Sequence, residues 1–491
     1  MARELSRYSL RIALIERDND VANGTTKANS GIIHAGYDAR PGSNKAKYNA
    51  LGNPMFDKLC EELAVPFKRI GSLVIALDSQ DMEKVEELYN RGLANGIPEM
   101  RILNGSEVKK MEPNLNEKVI GALHAPTAGI IDPWNLAIAL AENAVENGVE
   151  LLLNHRVTAI SSYGSSYGSS YGGKSTDGFN ISSSVPSSAS ASCIEARYVI
   201  NCAGVYADEI NNMAATPYFK ITPRRGQYFV LDKNTGSLVN SVVFQCPGKM
   251  GKGVLLTSSI HGNLLIGPDS EVLEDKENLE TTADRLLFVK EAAARTATGI
   301  PFNTMVKTFA GLRASPSTRD FIIEESKDAA GIINVAGIES PGLSAAPAIA
   351  EEVVRLLKAT AGELIKRDDF NPLRIKVIRF MELKDHEKRE LVRKNPAYGR
   401  VICRCENVTE GEVVDAISRK AGATTVSGIK RRVRPGMGRC QGGFCTPKVM
   451  EILARELGRD MQEIVNEGKE SYILSGTTKG EQDYKGKERG E

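Results

Sequence analysis

Two pairs of cysteines near the C-terminus constrain this chain more than any other feature of its sequence. Cys403 and Cys405 enclose one residue, Cys440 and Cys445 enclose four, and the other four cysteines occur singly. Two such pairs, brought together by a small fold, supply the four thiolates of a metal centre. Zinc usually takes C-x2-C pairs and common ferredoxins use other spacings, so the spacing leaves the metal open. Four reduced, buried thiols are the alternative, and a disulfide is disfavoured because nothing indicates secretion.

The residues between and after these pairs predict a small helical module. Thr409 and Glu412 form a capping box, which predicts a helix that runs towards Lys420. Pro447 predicts the start of a second helix, which continues to Leu457 with an apolar stripe. A basic run beside the second pair consists of Lys430, Arg431, Arg432, Arg434 and Arg439. These charges either form a solvated basic face or balance the negative charge of a thiolate-bound cluster.

The second cysteine pair also carries a resemblance to a known module. The run from Gly438 to Cys445, which follows the basic residues, resembles the [2Fe-2S] module related to bacterioferritin-associated ferredoxin. Some flavin dehydrogenases carry this module at their C-terminus. The resemblance covers residues 401–458 and implies that the metal is iron, that the four paired cysteines are its ligands, and that the module transfers electrons.

Composition limits the class of protein. A chain of 491 residues holds two or three domains, and a hydrophobic content of 41% supports a large core. The formal net charge of +1 gives no electrostatic case for binding nucleic acid or an anionic membrane. The sequence has no apolar run of about 18 residues and no apolar signal core, so we expect a cytoplasmic protein without a transmembrane span.

The N-terminal region begins with a strand and a polar loop that suit a nucleotide. Residues 10–16 predict a buried strand that ends at Glu16, and the loop from Thr25 to Gly36 is rich in hydroxyl groups and glycine. An acid at the end of the second strand of a dinucleotide-binding unit holds a ribose hydroxyl, and such a loop offers donors to phosphates. The glycine fingerprint expected before this strand is not present, so Glu16 is also open to being an ordinary surface residue.

Five segments resemble, in colinear order, the flavoprotein family that includes D-amino acid oxidase and FAD-dependent glycerol-3-phosphate dehydrogenase. They are residues 25–36, 69–73, 223–228, 311–313 and 337–344. With the cysteine module, they are most similar to the large subunits of anaerobic glycerol-3-phosphate dehydrogenases. The resemblance implies an α/β fold with three parts. These are an FAD-binding Rossmann-like domain that lacks its first strand, an inserted antiparallel-sheet α+β substrate domain, and a small all-α [2Fe-2S] domain. The start at Met1 is accordingly expected to be truncated or mis-assigned.

The resemblance also assigns roles to individual residues. Near the substrate it implies His34, which can accept or position a proton near neutral pH, and Arg313, whose fork binds two oxygens of an anion. A helix that begins at Gly342 would direct its N-terminus at the flavin and stabilise negative charge there. Val157 suits an adenine contact or a core position equally well. The residues expected to contact FAD are Glu16, Thr25, Thr26, Asn29, Ser30, Gly31, Val157, Ala203, Gly204, Gly342, Leu343 and Ser344.

The chain is expected to divide into a flavin-dependent domain, a linker, a cluster domain and a tail. These are residues 1–365, 366–400, 401–458 and 468–491 respectively. The substrate subdomain lies mainly at 217–310. Ser-Ser-Tyr-Gly repeats predict a disordered insertion over 161–192, and a charged, glycine-containing composition predicts that the tail is disordered.

Together these inferences predict a flavin dehydrogenase that oxidises a small anionic alcohol and passes electrons through a [2Fe-2S] centre. The resemblance favours sn-glycerol 3-phosphate, oxidised to dihydroxyacetone phosphate. The alternative substrate is an L-2-hydroxyglutarate-like 2-hydroxy acid, an amino acid or another amine. A flavin-free electron carrier is a second alternative, because the nucleotide fingerprint is not present. The family implies a second flavoprotein or a membrane-anchoring subunit that delivers electrons to quinone, which would hold the protein at the inner membrane peripherally.

Overall fold

The computed structural model describes residues 1–163, 178–185, 192–248 and 253–476. The chain divides into two compact units. The first unit comprises Met1–Arg17 and Val21–Lys376, and the second comprises Asp18–Asp20 and Val377–Glu491. None of the helices in the described ranges is both long and apolar enough to cross a membrane.

The first unit contains most of the regular structure. Its helices are α1 Ala2–Leu5, α2 Asn44–Gly52, α3 Phe56–Glu62, α4 Ser79–Ala94, α5 Gly105–Met111, α6 Pro133–Glu146, α7 Ala207–Asn212, α8 Ala283–Thr296 and α9 Gly342–Ala361. Its first ten strands are β1 Ala13–Ile15, β2 Ile32–Ile33, β3 Phe67–Arg69, β4 Ser72–Ala76, β5 Arg101–Asn104, β6 Gly121–Ala125, β7 Gly129–Ile131, β8 Glu150–Leu152, β9 Arg156–Tyr163 and β10 Gly178–Ser184. The others are β11 Ser192–Ala196, β12 Val199–Asn201, β13 Ile221–Leu231, β14 Val242–Gln245, β15 Leu255–Ser258, β16 Leu264–Gly267, β17 Glu271–Val272, β18 Met305–Pro316, β19 Ile322–Glu325 and β20 Ile332–Ala336.

The strands that lead into the predicted flavin loops form two small sheets. β1 pairs with β8 in parallel, and Glu16 extends this pairing because its N–H donates to the Leu152 carbonyl at 2.9 Å. β12 pairs with β20 in parallel, and β19 completes the second sheet. A buried amide pair joins these last strands, since Asn201 Nδ2 donates to Asn334 Oδ1 at 2.8 Å. The segments that follow the carboxyl ends of β1, β12 and β20 are the ones predicted to contact FAD, which is where ligands bind in parallel sheets.

A nine-stranded, mostly antiparallel sheet forms the other large element of the first unit. Its order is β17-β13-β16-β15-β14-β4-β6-β5, with β18 paired to β13, and β14 and β4 run parallel. On β4, Leu73 and Ile75 pack in one core with α8, while Val74 and Ala76 pack in a second core with α4. Because both faces are covered, the strand is apolar along its length and not alternating.

This sheet extends beyond the stretch that is expected to hold most of the substrate subdomain. The sequence placed that subdomain mainly at 217–310, but β4, β5 and β6 join the same sheet from residues 72–125. The parallel pairing of β14 with β4 joins the two stretches, from Val242 opposite Ser72 to Gln245 opposite Ile75. The alternation of a single segment predicts a strand but does not indicate which distant strand becomes its neighbour.

Two expected disordered segments are partly ordered. Within 161–192, β10 forms the centre of a three-stranded sheet with β9 and β11, and its Phe179 and Ile181 are buried. These two apolar side chains alternate with polar ones and explain why a serine-rich segment forms a strand. Residues 164–177 and 186–191 of the predicted insertion lie outside the described residues. In the predicted tail, Tyr472 forms a β-bridge with Val465, and residues 477–491 lie outside the described ones.

The second unit is a small helical module with one short strand pair. Its elements are α10 Asp385–Lys394, β21 Val401–Cys403, β22 Val408–Thr409, α11 Glu410–Ser418, α12 Val426–Val433 and α13 Thr446–Leu457. The predicted capping box is present at the start of α11, and α13 begins and ends close to its predicted bounds. The antiparallel pair β21–β22 adds strand structure to a domain expected to be all-α. α10 lies within the expected linker 366–400.

Candidate functional site

The loop after β1 is held in place by β18. Thr25 begins a 3-10 turn, and its hydroxyl donates to the Leu312 carbonyl at 2.6 Å. At Gly311 an added Cβ would lie 2.0 Å from the Ala28 carbonyl oxygen, so only glycine permits this approach of the two backbones. Trp134 fixes the other side of the turn, because its indole N–H donates to the Lys27 carbonyl at 2.7 Å. Contacts with β18 and Trp134 therefore hold the loop in its conformation.

Asn29 also shapes this loop from within. Its Oδ1 accepts from the Gly31 N–H at 2.8 Å, and its Nδ2 donates to the Thr26 carbonyl at 2.9 Å. Both ends of the amide are thus engaged with backbone groups. The predicted contacts of Thr25, Thr26, Asn29, Ser30 and Gly31 with FAD remain predictions, and the loop suits them by offering its backbone in a preformed shape.

His34 lies at the N-terminus of α9. Its backbone N–H donates to the Ser344 hydroxyl at 2.7 Å, and its ring Nε2 is 3.3 Å from the Ser340 hydroxyl oxygen. The ring stacks on Phe244 of β14 with centroids 5.8 Å apart. α9 has 20 residues, and its first-turn N–H groups have no partners within the helix, so this end favours negative charge. The Gly342 N–H donates to the Glu339 carbonyl, so Leu343 and Ser344 offer the next N–H groups of this turn. The anion-stabilising contact of Gly342, Leu343 and Ser344 stays a prediction, which this helix end suits.

A cleft opens beside His34. Val74, Leu88 and Phe244 form part of its apolar lining, and Pro341 lines it at the start of α9. Asn49 also lines it and is fully buried; its Nδ2 donates to the His34 carbonyl at 3.3 Å, while its Oδ1 has no hydrogen-bond partner among the described residues. A buried acceptor without a partner is costly, so the cleft suits a polar ligand or water at this point.

Arg313 lies on β18 of the nine-stranded sheet. It pairs across the ladder with Arg224 of β13, and its Nη2 donates to the Asp269 carbonyl at 3.4 Å. Its neighbour Tyr228 stacks on Phe309 with centroids 4.6 Å apart. Burial raises the pKa of Tyr228, and the Arg313 guanidinium and a hydrogen bond with Ser30 act against this shift. Arg313 is thus near the Ser30 end of the polar loop and is not among the residues that line the His34 cleft.

The remaining predicted FAD contacts lie where the sheets end. The Glu16 carbonyl accepts from the His155 N–H at 2.8 Å, directly after β1. Ala203 and Gly204 form the turn after β12, and an added Cβ at Gly204 would meet no atom within 4 Å. This open space at a strand end is compatible with a flat ligand that approaches the backbone. Val157 is half-buried on β9, opposite Ser183, which leaves both of its predicted roles open.

Sequence reasoning missed several residues around the His34 cleft. Asn49 and Phe244 are ordinary members of a helix and a strand in sequence, and no motif marks them. Ser340 lies in the segment 337–344, where the family resemblance assigns it no role of its own. A buried Asp132 caps α6 and pairs with His261 at 2.9 Å, a contact between residues far apart in the chain. Only the tertiary structure brings Asn49, Phe244 and Ser340 close to His34, and Asp132 close to His261.

The four paired cysteines form two close pairs in the second unit. The Cys405 and Cys440 sulfurs are 3.8 Å apart. This separation equals the edge of a tetrahedron with metal–sulfur bonds of about 2.3 Å. The Cys445 thiol hydrogen-bonds to Cys403, and together with backbone N–H groups that include that of Gly436 it lowers the pKa of Cys403 to about 6, against the effect of burial. The described residues contain no cluster of three or more ligands arranged around one point.

Two pairs of thiols suit a [2Fe-2S] cluster, in which each of two irons takes two protein ligands. Burial acts to raise the pKa of Cys440, but the backbone N–H groups of Gly442 and Phe444 lower it overall. Such N–H groups stabilise thiolates, the form that binds metal. At Gly438 an added Cβ would lie 2.3 Å from the Cys405 Cβ, so glycine is needed where the two cysteine loops meet. The donor set and its backbone therefore fit the cluster.

Most of the basic run is buried, which contradicts the first of its two expected roles, a solvated face. Arg432 donates to both carboxylate oxygens of Asp20, at 2.7 and 2.8 Å, and Arg431 lies 3.2 Å from the same carboxylate. Arg434 pairs with Glu406 at 3.1 Å. The positive charges are therefore neutralised by carboxylates inside the second unit. Arg439 is exposed.

Comparison with known proteins identifies the family. Residues 1–356 match the family "FAD dependent oxidoreductase", and residues 401–455 match the "BFD-like [2Fe-2S] binding domain". A glycerol 3-phosphate dehydrogenase from Caloramator mitchellensis is 54% identical and is aligned over 98% of this chain and 96% of its own length. The structure of a dithionite-reduced L-alpha-glycerophosphate oxidase from Mycoplasma pneumoniae with FAD bound is 33% identical. It covers 76% of this chain and 94% of its own, with a TM-score of 0.70. A mitochondrial L-2-hydroxyglutarate dehydrogenase from Mus musculus is 30% identical over 56% of this chain and 58% of its own.

The chain belongs to the FAD-dependent oxidoreductase family. More particularly, it is an FAD-dependent oxidoreductase that also carries a BFD-like [2Fe-2S] domain, so its cofactors are FAD and a [2Fe-2S] cluster. The fold class, the enzyme class and both cofactors predicted from the sequence are confirmed.

Proposed function

We propose that this protein oxidises sn-glycerol 3-phosphate to dihydroxyacetone phosphate. The observation that carries the proposal is the 54% identity to a glycerol 3-phosphate dehydrogenase along 98% of this chain, through both the flavin-dependent and the cluster domains. The oxidation removes two electrons and two protons from a secondary alcohol. The chain must therefore hold the substrate phosphate, accept the hydroxyl proton and tolerate negative charge near the flavin.

His34 is the residue proposed to accept the hydroxyl proton. Its Nε2 faces the Ser340 hydroxyl at 3.3 Å, so the ring is oriented by a weak polar contact that a substrate hydroxyl can replace. The Ser344 hydroxyl fixes its backbone, and Phe244 holds the ring plane. The N-terminus of α9 favours the negative charge that accompanies oxidation in this site. When bound, FAD supplies the two-electron acceptor for the substrate C–H bond, and the [2Fe-2S] cluster passes electrons on singly.

Arg313 is proposed to bind the substrate phosphate. A guanidinium presents two parallel N–H donors that match two phosphate oxygens. Its observed contact to the Asp269 carbonyl is long, at 3.4 Å, so little is lost when the side chain turns to an anion. Tyr228 and Ser30 lie beside it and offer hydroxyls to the same group.

The electrons are proposed to leave through the cluster to a redox protein. A second flavoprotein or a membrane-anchoring subunit that delivers electrons to quinone fits this role, because the [2Fe-2S] domain is a one-electron carrier.

An anaerobic titration of the flavin-loaded protein tests the proposal. Glycerol 3-phosphate is expected to bleach the flavin absorption. His34→Gln should slow the bleaching by about 10²–10⁴-fold, the range for loss of a general base. His386→Gln, on exposed α10, is the matched control. Arg313→Lys should weaken substrate binding, whereas Arg224→Lys on the neighbouring strand should not. Similarity to an L-2-hydroxyglutarate dehydrogenase makes that acid the second candidate, and bleaching by L-2-hydroxyglutarate alone would refute the first.

A further inference from the structure

The thiolate centre of the second unit meets solvent on one side only. Cys403 and Cys445 are buried, while Cys405 is exposed and Cys440 is partly exposed. The side formed by the two less buried cysteines is therefore the edge where another molecule can approach the cluster most closely.

An exposed aromatic ring lies on the loop that forms this edge. Phe444 stands between two ligands, and its backbone N–H bonds to the Cys440 sulfur. Its side chain is 83% exposed, the highest value for a large hydrophobic residue in the part of the chain that is described. Single exposed apolar residues are common on protein surfaces. This one differs because any surface that covers it also comes next to the cluster.

The exposed charges around the same edge are positive. Arg404 and Arg439 each precede one of the two solvent-facing cysteines, and Lys448 is exposed in the first turn of α13. The acidic residue that directly follows the first cysteine loop is Glu406, and its buried side chain pairs with Arg434. Over residues 401–458 ten Arg and Lys side chains face six Asp and Glu side chains. Exposed charges are strongly screened and stabilise a fold little, so their sign bears chiefly on what approaches this surface.

We propose that this surface docks a redox protein whose own centre is rimmed by acidic side chains. The surface consists of Arg404, Arg439, Phe444 and Lys448, and is called the cluster face. The inference rests on the proposed function, because it assigns the electron exit of that reaction. The basic residues would steer the acidic partner on approach, and Phe444 would supply the desolvated contact at the centre. A small face with few anchors suits the short-lived complexes of electron-transfer proteins.

The experiment measures binding separately from substrate turnover. The holoenzyme is mixed with a fluorescently labelled acidic flavodoxin as the probe, and with basic cytochrome c as the probe of opposite charge. Association and dissociation rates are measured at low and high salt. The variants are Arg404→Glu/Arg439→Glu, Lys448→Glu and Phe444→Ala. The matched control is Arg459→Glu, which is exposed just beyond α13, a helix of 12 residues or about 18 Å.

We expect flavodoxin to bind and cytochrome c to bind at least about tenfold more weakly at low salt. The double charge reversal should lower the association rate of flavodoxin about tenfold, and high salt should remove most of this difference. Phe444→Ala should mainly raise the dissociation rate, and Arg459→Glu should leave both rates within about twofold of the parent. A visible spectrum verifies that each variant holds its cluster. If the double variant does not, Lys448→Glu, outside the cysteine loops, tests the same charge effect.

Three results would overturn the inference. The first is equal binding of the two probes, and the second is binding by all cluster-face variants at the wild-type level. The third is that the charge-reversal variants lose binding to anionic vesicles but keep binding to flavodoxin. Failure of the proposed function can be distinguished from failure of the docking inference. A protein that binds the acidic probe through this face but is not reduced by glycerol 3-phosphate keeps the docking surface and loses the assigned substrate.

Discussion

Removal of the Asp20 carboxylate is expected to destabilise the second unit more than any surface substitution. Arg432 binds both oxygens of Asp20, and Arg431 lies 3.2 Å from one of them. The exposed fraction is 6% or less for all three side chains. Removal of one partner from a buried ion pair leaves an uncompensated charge and costs about 3–5 kcal/mol. Domains are stable by only about 5–15 kcal/mol, so Asp20→Asn should remove a large share of that stability.

Urea unfolding, followed by the visible absorption of the cluster, measures this effect in the second unit. With a denaturant slope of about 1–3 kcal/mol per molar urea, the midpoint should fall by about 2 M. Asp385→Asn is the matched control, because Asp385 is 89% exposed and lies 3.9 Å from Lys388. Its effect should stay within about 0.5 kcal/mol. Equal midpoints for the two variants would refute the reasoning.

The same residue predicts how stability depends on pH. Burial acts to raise the pKa of Asp20, but the hydrogen bonds and charges of Arg432 and Arg431 outweigh it, so the folded pKa lies below the ordinary value. A carboxyl group with a lowered pKa stabilises the fold above its unfolded pKa of about 3.9. This stabilisation is lost as the pH falls through the folded pKa. The acid dependence of unfolding should therefore be weaker in Asp20→Asn, and an unchanged acid limb would contradict the assignment.

Three further predictions follow from close contacts. Gly311→Ala should weaken flavin retention about tenfold or more, because overpacking costs about 1–3 kcal/mol and would displace the polar loop. Gly476→Ala is the control and should retain the flavin. The flavin released during ultrafiltration measures the difference. Cys405→Ser should abolish the visible spectrum of the cluster, whereas Cys193→Ser, at an exposed single cysteine, should retain it. Analysis of iron and sulfide measures the cluster content of each variant. Asp132→Ala removes the N-cap of α6 and should lower the free energy of unfolding by about 1 kcal/mol, with a larger loss if His261 is then left without compensation; thermal unfolding tests it.

The features that sequence predicted well are those with a local physical cause. The capping box at Thr409, the apolar runs of β4 and β20, and the glycine and proline that open α9 each depend on neighbouring residues. The identification of the two cofactors was also local, because it depended on short motifs. The proposed boundaries of the domains and the individual flavin contacts stay predictions.

The features that sequence could not predict depend on residues far apart in the chain. Neither role expected for the basic run, a solvated face or the counter-charge of a cluster, included Asp20, because this counter-ion lies more than 400 positions away. The cleft beside His34 needs a helix, a strand and the start of α9 to meet, and only the last of these lies in a segment that resembles the family. The nine-stranded sheet combines strands from two separate stretches of the sequence. This could not be predicted, because hydrophobic alternation indicates which face of a strand is buried and not which strand lies next to it.

The ion pair between Arg434 and Glu406 has a consequence for the kinetics of the cluster. Glu406 follows the first cysteine loop and Arg434 precedes the second, so their contact at 3.1 Å joins the loops without involving a sulfur atom. Because the exposed fractions of these side chains are only 10% and 2%, water does not compete strongly for the contact. We expect the ligands to move little when the cluster gains or loses an electron, which keeps the reorganisation energy small. At the same distance and driving force, Glu406→Gln should then steepen the temperature dependence of electron transfer relative to the parent protein.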